Sequence, residues 1–180
     1  ISGIIACHKL RLETTMDHPK LWQPNGYGEP YQYDIAITLF DQYGAVSDRK
    51  ILKYGIREIE FVKNERCHPD ATPFVLKVNG RNIYMNGYNW VPMDAMYGVN
   101  RPEKLHRLIK LAKQANTVIF RVWGGGLIEK DAFYEACAEN GILVWQEFIQ
   151  SSSGIDNKPP EDLDFIRGFL EQAEIIIKRK

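Results

Sequence analysis

Arg121 and Trp123 are the residues whose types and spacing point most directly to chemistry. They follow the apolar run 118–120 and precede three glycines, Gly124 to Gly126. Because side chains alternate along a strand, Arg121 and Trp123 are expected to point to the same face. An aromatic ring beside a fixed guanidinium suits a hydroxyl-rich ligand with an apolar face, such as a sugar. The alternative, of equal weight, is a core tryptophan next to a structural ion pair.

The glycine spacing excludes two common phosphate-binding motifs. A dinucleotide-binding G-x-G-x-x-G starting at Gly124 needs a glycine at the position that Glu129 occupies. The P-loop is excluded as well, because no Gly-Lys-Ser/Thr follows.

Charge and composition narrow the classes of partner. The chain has 180 residues with 23 basic and 23 acidic side chains, and its net charge is zero. This balance gives no reason to expect nucleic acid or an anionic membrane as a partner. No signal peptide opens the chain and no apolar run approaches the roughly 20 residues of a membrane span. The compartment stays open, with the cytoplasm favoured.

Neither a metal nor an organic cofactor is expected. The four histidines are scattered, and the three cysteines form no C-x-x-C pair or other metal spacing. An odd number of cysteines favours free thiols over a disulfide framework.

Residues 1–62 read as short strands of an antiparallel sandwich. The expected strands are at 4–6, 10–13, 33–40 and 50–62, with a loop at 22–30. Ile35, Ile37 and Leu39 would share one face of the third strand. The polar segment 63–73 contains two prolines and is expected to be a linker between domains.

From residue 74 the pattern changes to strands alternating with helices. A hairpin is expected at 74–85 around Asn79-Gly80, because Asn-Gly tolerates the positive φ of a type I′ turn. Residues 88–180 then read β-α-β-α-β-α, which is the repeat of a parallel α/β fold, either an open sheet or a barrel. A complete (β/α)₈ barrel needs about 250 residues, and only three β/α units fit here.

The chain resembles glycoside hydrolase family 2, and most closely its β-mannosidase branch. Five motifs carry this resemblance, in order along nearly the whole chain. They are Leu21–Pro30 (similar to W-x-P-N-G-Y-G-x-P), Tyr54–Glu60 (similar to G-x-R-x-I), Gly87–Pro92, Arg121–Gly126 and Leu143–Phe148. The resemblance implies a partial immunoglobulin-like β-sandwich (1–62), a linker (63–73) and the N-terminal part of a TIM (β/α)₈ barrel (74–180).

The resemblance also implies a set of sugar-binding residues and a carbohydrate partner, a β-linked mannoside or a related glycoside. Trp123 would line the sugar subsite, and Arg121 would hold the nucleophilic carboxylate. Asn89 and Trp90 would lie at the mouth of the site. Glu147 stands where β-mannosidases more usually have an aspartate, and it would bond a sugar hydroxyl. For Glu147 the alternative, of nearly equal weight, is a structural carboxylate paired with an arginine, with Arg121 itself as the candidate.

The two carboxylates of a retaining glycosidase are not expected within this chain. Such enzymes need an acid/base and a nucleophile about 5 Å apart. The resemblance implies that both follow later barrel strands, the acid/base within an Asn-Glu pair. Here the Asn-Glu pair, Asn64-Glu65, lies before the barrel. We therefore expect the 180 residues alone to be inactive, and measurable turnover by them would contradict this.

A three-unit part of a barrel is also expected to self-associate through its unpaired strand edges. Two other functions stay open. The parent protein could be another family 2 glycosidase, such as an exo-β-glucosaminidase or a β-galactosidase. The chain could instead be a non-catalytic carbohydrate-binding module, in which Trp90 and Trp123 stack on sugars without hydrolysis.

Overall fold

A computed structural model describes residues 11–99, 101–148 and 160–179 as eight strands and three helices. The strands are β1 (Tyr33–Phe40), β2 (Val46–Tyr54), β3 (Ile59–Lys63), β4 (Phe74–Val78), β5 (Arg81–Ile83), β6 (Gly87–Trp90), β7 (Ile119–Val122) and β8 (Leu143–Gln146). The helices are α1 (Pro102–Gln114), α2 (Asp131–Glu139) and α3 (Leu163–Arg179). The chain is thus a mixed sheet and helix structure.

Two of the expected early strands have different outcomes. Residues 4–6 lie outside the described residues. The strand expected at 10–13 is wrong over 11–13, where the backbone forms no ladder. Leu12, its apolar residue in that stretch, is 49% exposed, so it is not packed as a strand residue of a core would be.

β1 and β2 form an antiparallel hairpin around Gly44, whose φ is +83°. The strand expected over 50–62 is interrupted at Gly55, which lies against the Trp22 ring and has no room for a Cβ. Ile35, Ile37 and Leu39 do share a face, as alternation predicts, but they are 41–52% exposed. The described part of the chain therefore leaves this apolar face uncovered.

β3, β4 and β5 form a second antiparallel sheet. The hairpin expected between β4 and β5 is confirmed, with Asn79 at φ +50° and Gly80 at +77°. β3 pairs with β4 from Ile59↔Val78 to Lys63↔Phe74. The segment predicted to be a linker between domains therefore connects two paired strands of one sheet, and the domain division at 63–73 stays a prediction.

β6, β7 and β8 form a parallel sheet in that order, and α1 and α2 connect its strands. Register places Asn89 beside Arg121, and Arg121 beside Trp145. Gly87 sits so close to β7 that an added Cβ would lie 1.7 Å from the Ile119 carbonyl oxygen. Glycine at this position therefore allows β6 to pair with β7.

α1 and α2 cover one face of this sheet. In α1, Leu105 and Ile109 recur at a spacing of four and are buried, as the apolar stripe predicts. α2 ends before Gly141, whose φ of +73° is the left-handed conformation of a helix stop. The resulting core contains nine buried residues: Trp90, Leu105, Ile109, Phe120, Val122, Phe133, Ala136, Cys137 and Ile142. Cys137 is a free thiol, as is Cys67, while Cys7 lies outside the described residues.

The loop 22–30 caps the carboxyl ends of α1 and α2. Asn25 Nδ2 donates to the carbonyl oxygens of Lys113 and Thr117, both at 3.0 Å. The Trp22 indole N–H donates to the Ala138 carbonyl at 2.7 Å, and its ring is 1% exposed. Lys113 and Ala138 belong to the last turns of α1 and α2, whose carbonyls have no partner within the helix, and each also accepts a backbone N–H, from Asn116 and Gly141 respectively. The side chains of the loop add a second donor to each of these carbonyls. The loop thereby fixes the α/β part of the chain to the residues before β1.

Replacing Trp22 by phenylalanine is expected to lower the free energy of unfolding by about 1–3 kcal/mol. The ring volume is largely kept, but the Ala138 carbonyl loses the indole donor at 2.7 Å and keeps only the longer bond from the Gly141 N–H, at 3.4 Å. Urea unfolding of the protein and of the variant measures the difference. A variant as stable as the unsubstituted protein would show that the bond to Ala138 contributes nothing.

No helix in the described segments is long and apolar enough to cross a bilayer.

Candidate functional site

The candidate site lies at the carboxyl ends of the three parallel strands. Asn89, Arg121 and Trp145 are neighbours across the sheet, one on each strand. By alternation, Trp123 and Glu147 lie on the same face as Arg121 and Trp145. The face is the one opposite to the helix-packed core, so these side chains are available to a ligand.

Arg121 joins all three strand ends through its guanidinium. Its Nε donates to Glu147 Oε1 at 2.7 Å, and its Nη2 lies 2.6 Å from the same oxygen. Its Nη1 donates to Asn89 Oδ1 at 3.0 Å. A guanidinium has five N–H donors in a rigid fork, so this pairing leaves donors for a further acceptor.

Glu147 also fixes the glycine loop that follows β7. Its second oxygen, Oε2, accepts the backbone N–H of Gly124 at 2.9 Å, while its own N–H donates to the Val122 carbonyl. The Gly124 N–H, and then the charge and hydrogen bonds of Arg121, lower the pKa of Glu147. Glu147 is therefore an ionised carboxylate with both oxygens bonded, which agrees with the interpretation of a residue paired to Arg121.

A second set of hydrogen bonds supports Glu147 from the helix side. Tyr134 donates its hydroxyl to Gln146 Oε1 at 2.6 Å, and Gln146 Nε2 donates to the Glu147 carbonyl. Burial raises the pKa of Tyr134 to about 12, so the hydroxyl keeps its proton at neutral pH. This arrangement restrains the end of β8 and with it the position of Glu147.

Trp123 and Trp90 differ in exposure, although both were predicted to bind sugar. Trp123 is partly exposed on the loop after β7. Trp90 is 8% exposed, packs 4.7 Å from the Phe133 ring, and donates its indole N–H to Glu129 at 2.9 Å. Because Trp90 is one residue from Asn89 on the same strand, the two side chains point to opposite faces. The sugar-binding role of each stays a prediction.

Trp145 is a candidate that sequence reasoning missed. Its side chain is 52% exposed, and with Asn89 and Arg121 it lines an open concave space of about 280 Å³. The signal was present in the sequence, since the alternation that places Trp123 beside Arg121 also places Trp145 on the face of Glu147.

In the described ranges, no group of three or more His, Cys, Asp or Glu side chains could hold a metal ion.

The ion pair makes stability at this strand end dependent on pH. The pKa of Glu147 is lower in the folded protein, so its contribution is present above the pKa of an unfolded glutamate, about 4.3. It is lost as the pH falls through the lowered folded pKa. The difference in urea midpoint between the protein and Glu147→Gln should therefore shrink steadily from pH 6 to acid. A difference independent of pH would contradict this.

Comparisons with known proteins agree with one another. The model of the family "Glycosyl hydrolases family 2" matches residues 4–57. β-Mannosidase B of Aspergillus terreus is 39% identical over 153 residues, which are 84% of this chain and 17% of that protein. The crystal structure of the β-D-mannosidase of Dictyoglomus thermophilum has a TM-score of 0.78 and 37% identity, covering 92% of this chain and 20% of that one.

A more distant structure shares the same architecture. The exo-chitosanase CsxA of Amycolatopsis orientalis is 25% identical with a TM-score of 0.60, covering 72% of this chain and 14% of its own. The chain thus spans about a fifth or less of the length of the relatives that it matches. Sequence and structure lead to one family, and the chain belongs to the family 2 glycosyl hydrolases.

Proposed function

We propose that this chain provides sugar-binding residues of a retaining, exo-acting β-mannosidase, a longer protein that hydrolyses β-linked mannosides. The observation that carries the proposal is the group formed by Asn89, Arg121 and Glu147 at one end of the parallel sheet. Support comes from the named activity of two relatives, both β-mannosidases at 37–39% identity. The carboxyl ends of parallel strands are where α/β folds build ligand sites.

In this proposal Trp123 is the apolar platform of the sugar subsite. Arg121 and Asn89 act as polar groups that fix the orientation of the sugar or of a catalytic carboxylate. The remaining donors of Arg121 are suited to hold a second carboxylate, because a guanidinium can bond two acceptors from different edges.

Glu147 is assigned a positioning role in this site. Both of its oxygens accept hydrogen bonds and its pKa is lowered, so it is a poor proton donor at neutral pH. A retaining mechanism needs one carboxylate as nucleophile and another as acid/base. We therefore assign both to other parts of the protein, and the 180-residue chain on its own is expected to show no turnover.

The same proposal extends to the fold of the longer protein. The unit β6-α1-β7-α2-β8-α3 would open a (β/α)₈ barrel, and β1 with β2 would belong to an immunoglobulin-like sandwich. The uncovered apolar face of Ile35, Ile37 and Leu39 supports a second sheet packed on that hairpin.

Self-association of the isolated chain remains a prediction, which light scattering checks.

Hydrolysis of nitrophenyl glycosides tests the proposed function. The protein that carries this chain is compared with the 180 residues alone on the β-mannoside, β-glucosaminide and β-galactoside. Cleavage of the mannoside by the longer protein alone is the expected result. Sugar binding without any cleavage would favour the non-catalytic module.

An exo-β-glucosaminidase is the second candidate, favoured by the likeness to CsxA, which is described as an exo-chitosanase and an exo-β-D-glucosaminidase. Preference for the glucosaminide in the same assay would select it.

A further inference from the structure

Gly125 lies directly against the indole ring of Trp123. A Cβ built on Gly125 would be 2.1 Å from Cζ2, 2.5 Å from Cε2 and 2.6 Å from Cη2 of that ring. Contacts under 3.0 Å do not occur between such atoms, so no side chain fits at position 125 while the ring keeps its place. The ring therefore occupies the space that the missing Cβ leaves.

Backbone conformation does not explain this glycine. The φ of Gly125 is not positive, so an alanine could adopt the same backbone angles without strain. The three atoms that an alanine would meet first all belong to Trp123. The requirement for glycine comes from the ring alone.

The loop cannot easily shift to make room for a larger residue. The Gly124 N–H is bonded to Glu147 Oε2 at 2.9 Å. The Gly126 N–H donates to the Trp123 carbonyl at 3.0 Å, which closes a turn around Gly125, and an added Cβ on Gly126 would lie 3.1 Å from Pro92. Because the turn is closed and Gly124 is bonded to Glu147, an added Cβ at 125 is expected to displace the ring instead.

We propose that Gly125 is a positioning residue for the sugar-stacking platform: its lack of a side chain holds the Trp123 indole against the loop, in the orientation that binds the substrate sugar. This inference rests on the proposed function, since it takes Trp123 to be the platform. A platform contacts the sugar in the ground state and in the transition state alike, so its displacement raises KM and leaves kcat nearly unchanged.

A double-mutant cycle in the full-length protein tests the proposal. Gly125→Ala is made in the unsubstituted protein and in Trp123→Ala, and KM and kcat are measured on nitrophenyl β-mannoside. We expect Gly125→Ala to raise KM about tenfold with kcat within about twofold. In the Trp123→Ala background it should change KM by less than about twofold, because the ring is gone.

Gly98→Ala is the matched control. An added Cβ at Gly98 meets nothing within 4 Å and its φ is not positive, so both constants should stay unchanged. If Gly125→Ala alone fails to fold, the double variant should fold, since removal of the ring removes the collision. Equal effects of Gly125→Ala in the two backgrounds, or a double variant that also fails to fold, would overturn the proposal.

Failure of the proposed function gives a different result. If the unsubstituted protein cleaves none of the three glycosides, tryptophan emission still reports the ring position. Gly125→Ala should then shift the emission spectrum in the Trp123 background and leave that of Trp123→Ala unchanged. An unchanged spectrum in both backgrounds would count against the placement of the ring on Gly125.

Discussion

Replacing Arg121 by alanine is expected to lower kcat/KM on β-mannosides at least about a hundredfold, a loss of about 2.7 kcal/mol in transition-state stabilisation. The guanidinium joins Asn89 on β6 to Glu147, which directly follows β8, so it connects the two strands that flank its own. Its removal leaves the Glu147 carboxylate without its cation and frees both strand ends. Steady-state kinetics of the full-length protein measure the effect.

Two further substitutions sharpen this prediction. Arg121→Lys keeps the charge but cannot bond Glu147 and Asn89 through a rigid fork, so we expect an intermediate loss. Arg167→Ala is the matched control, because Arg167 is an exposed arginine of α3 paired with Asp164, and kcat/KM should not change. A loss below about threefold for Arg121→Ala would show that the pair with Glu147 is not part of the sugar site.

Asn25→Asp is expected to cause the largest loss of stability, about 2–4 kcal/mol. The amide donates to the Lys113 carbonyl in the last turn of α1 and to the Thr117 carbonyl just beyond the helix, and the aspartate that replaces it has no donor when ionised. Its negative charge would also face the negative end of the helix dipole. Urea unfolding of the protein at pH 7 measures the difference.

The pH dependence of the stability of Asn25→Asp separates the effect of the added charge from that of the lost hydrogen bonds. Part of the stability of Asn25→Asp should return as the pH falls and the carboxyl is protonated, because the protonated group can donate one bond. Asn82→Asp provides the control for adding one negative charge, since Asn82 is exposed on β5. If both variants unfold at the same urea concentration, the cap formed by Asn25 does not stabilise α1.

Local signals predicted much of the α/β part from the sequence. The Asn79-Gly80 turn, the start of α1 at Pro102 and the stop at Gly141 each depend on one or two residues with restricted or unusual backbone preferences. Alternation placed Arg121 and Trp123 on one face, because β7 pairs regularly on both sides. Such features are decided within a few residues and are readable in one sequence.

Contacts between distant residues could not be read in the same way. The loop around Trp22 and Asn25 was recognised as a motif, but its partners are 88 to 116 residues away in the chain. Likewise, the break of the strand at Gly55 depends on the Trp22 ring packed against it. The pair of Glu147 with Arg121 was one of two interpretations and is present in the structure, while a bond from Glu147 to a sugar hydroxyl stays a prediction.

The cap at the ends of α1 and α2 has a consequence for how family members can be recombined. Because the loop 22–30 precedes β1 while its acceptors, Lys113, Thr117 and Ala138, belong to the α/β part, a crossover between the two regions separates donors from acceptors. Chimeras that join the amino-terminal region of one relative to the α/β part of another should assemble well only when the loop and both helix ends are matched. The positions at which chimeras tolerate a crossover are therefore set by the contacts of the loop 22–30 with these two helix ends. The order of strands and helices along the chain does not show these contacts.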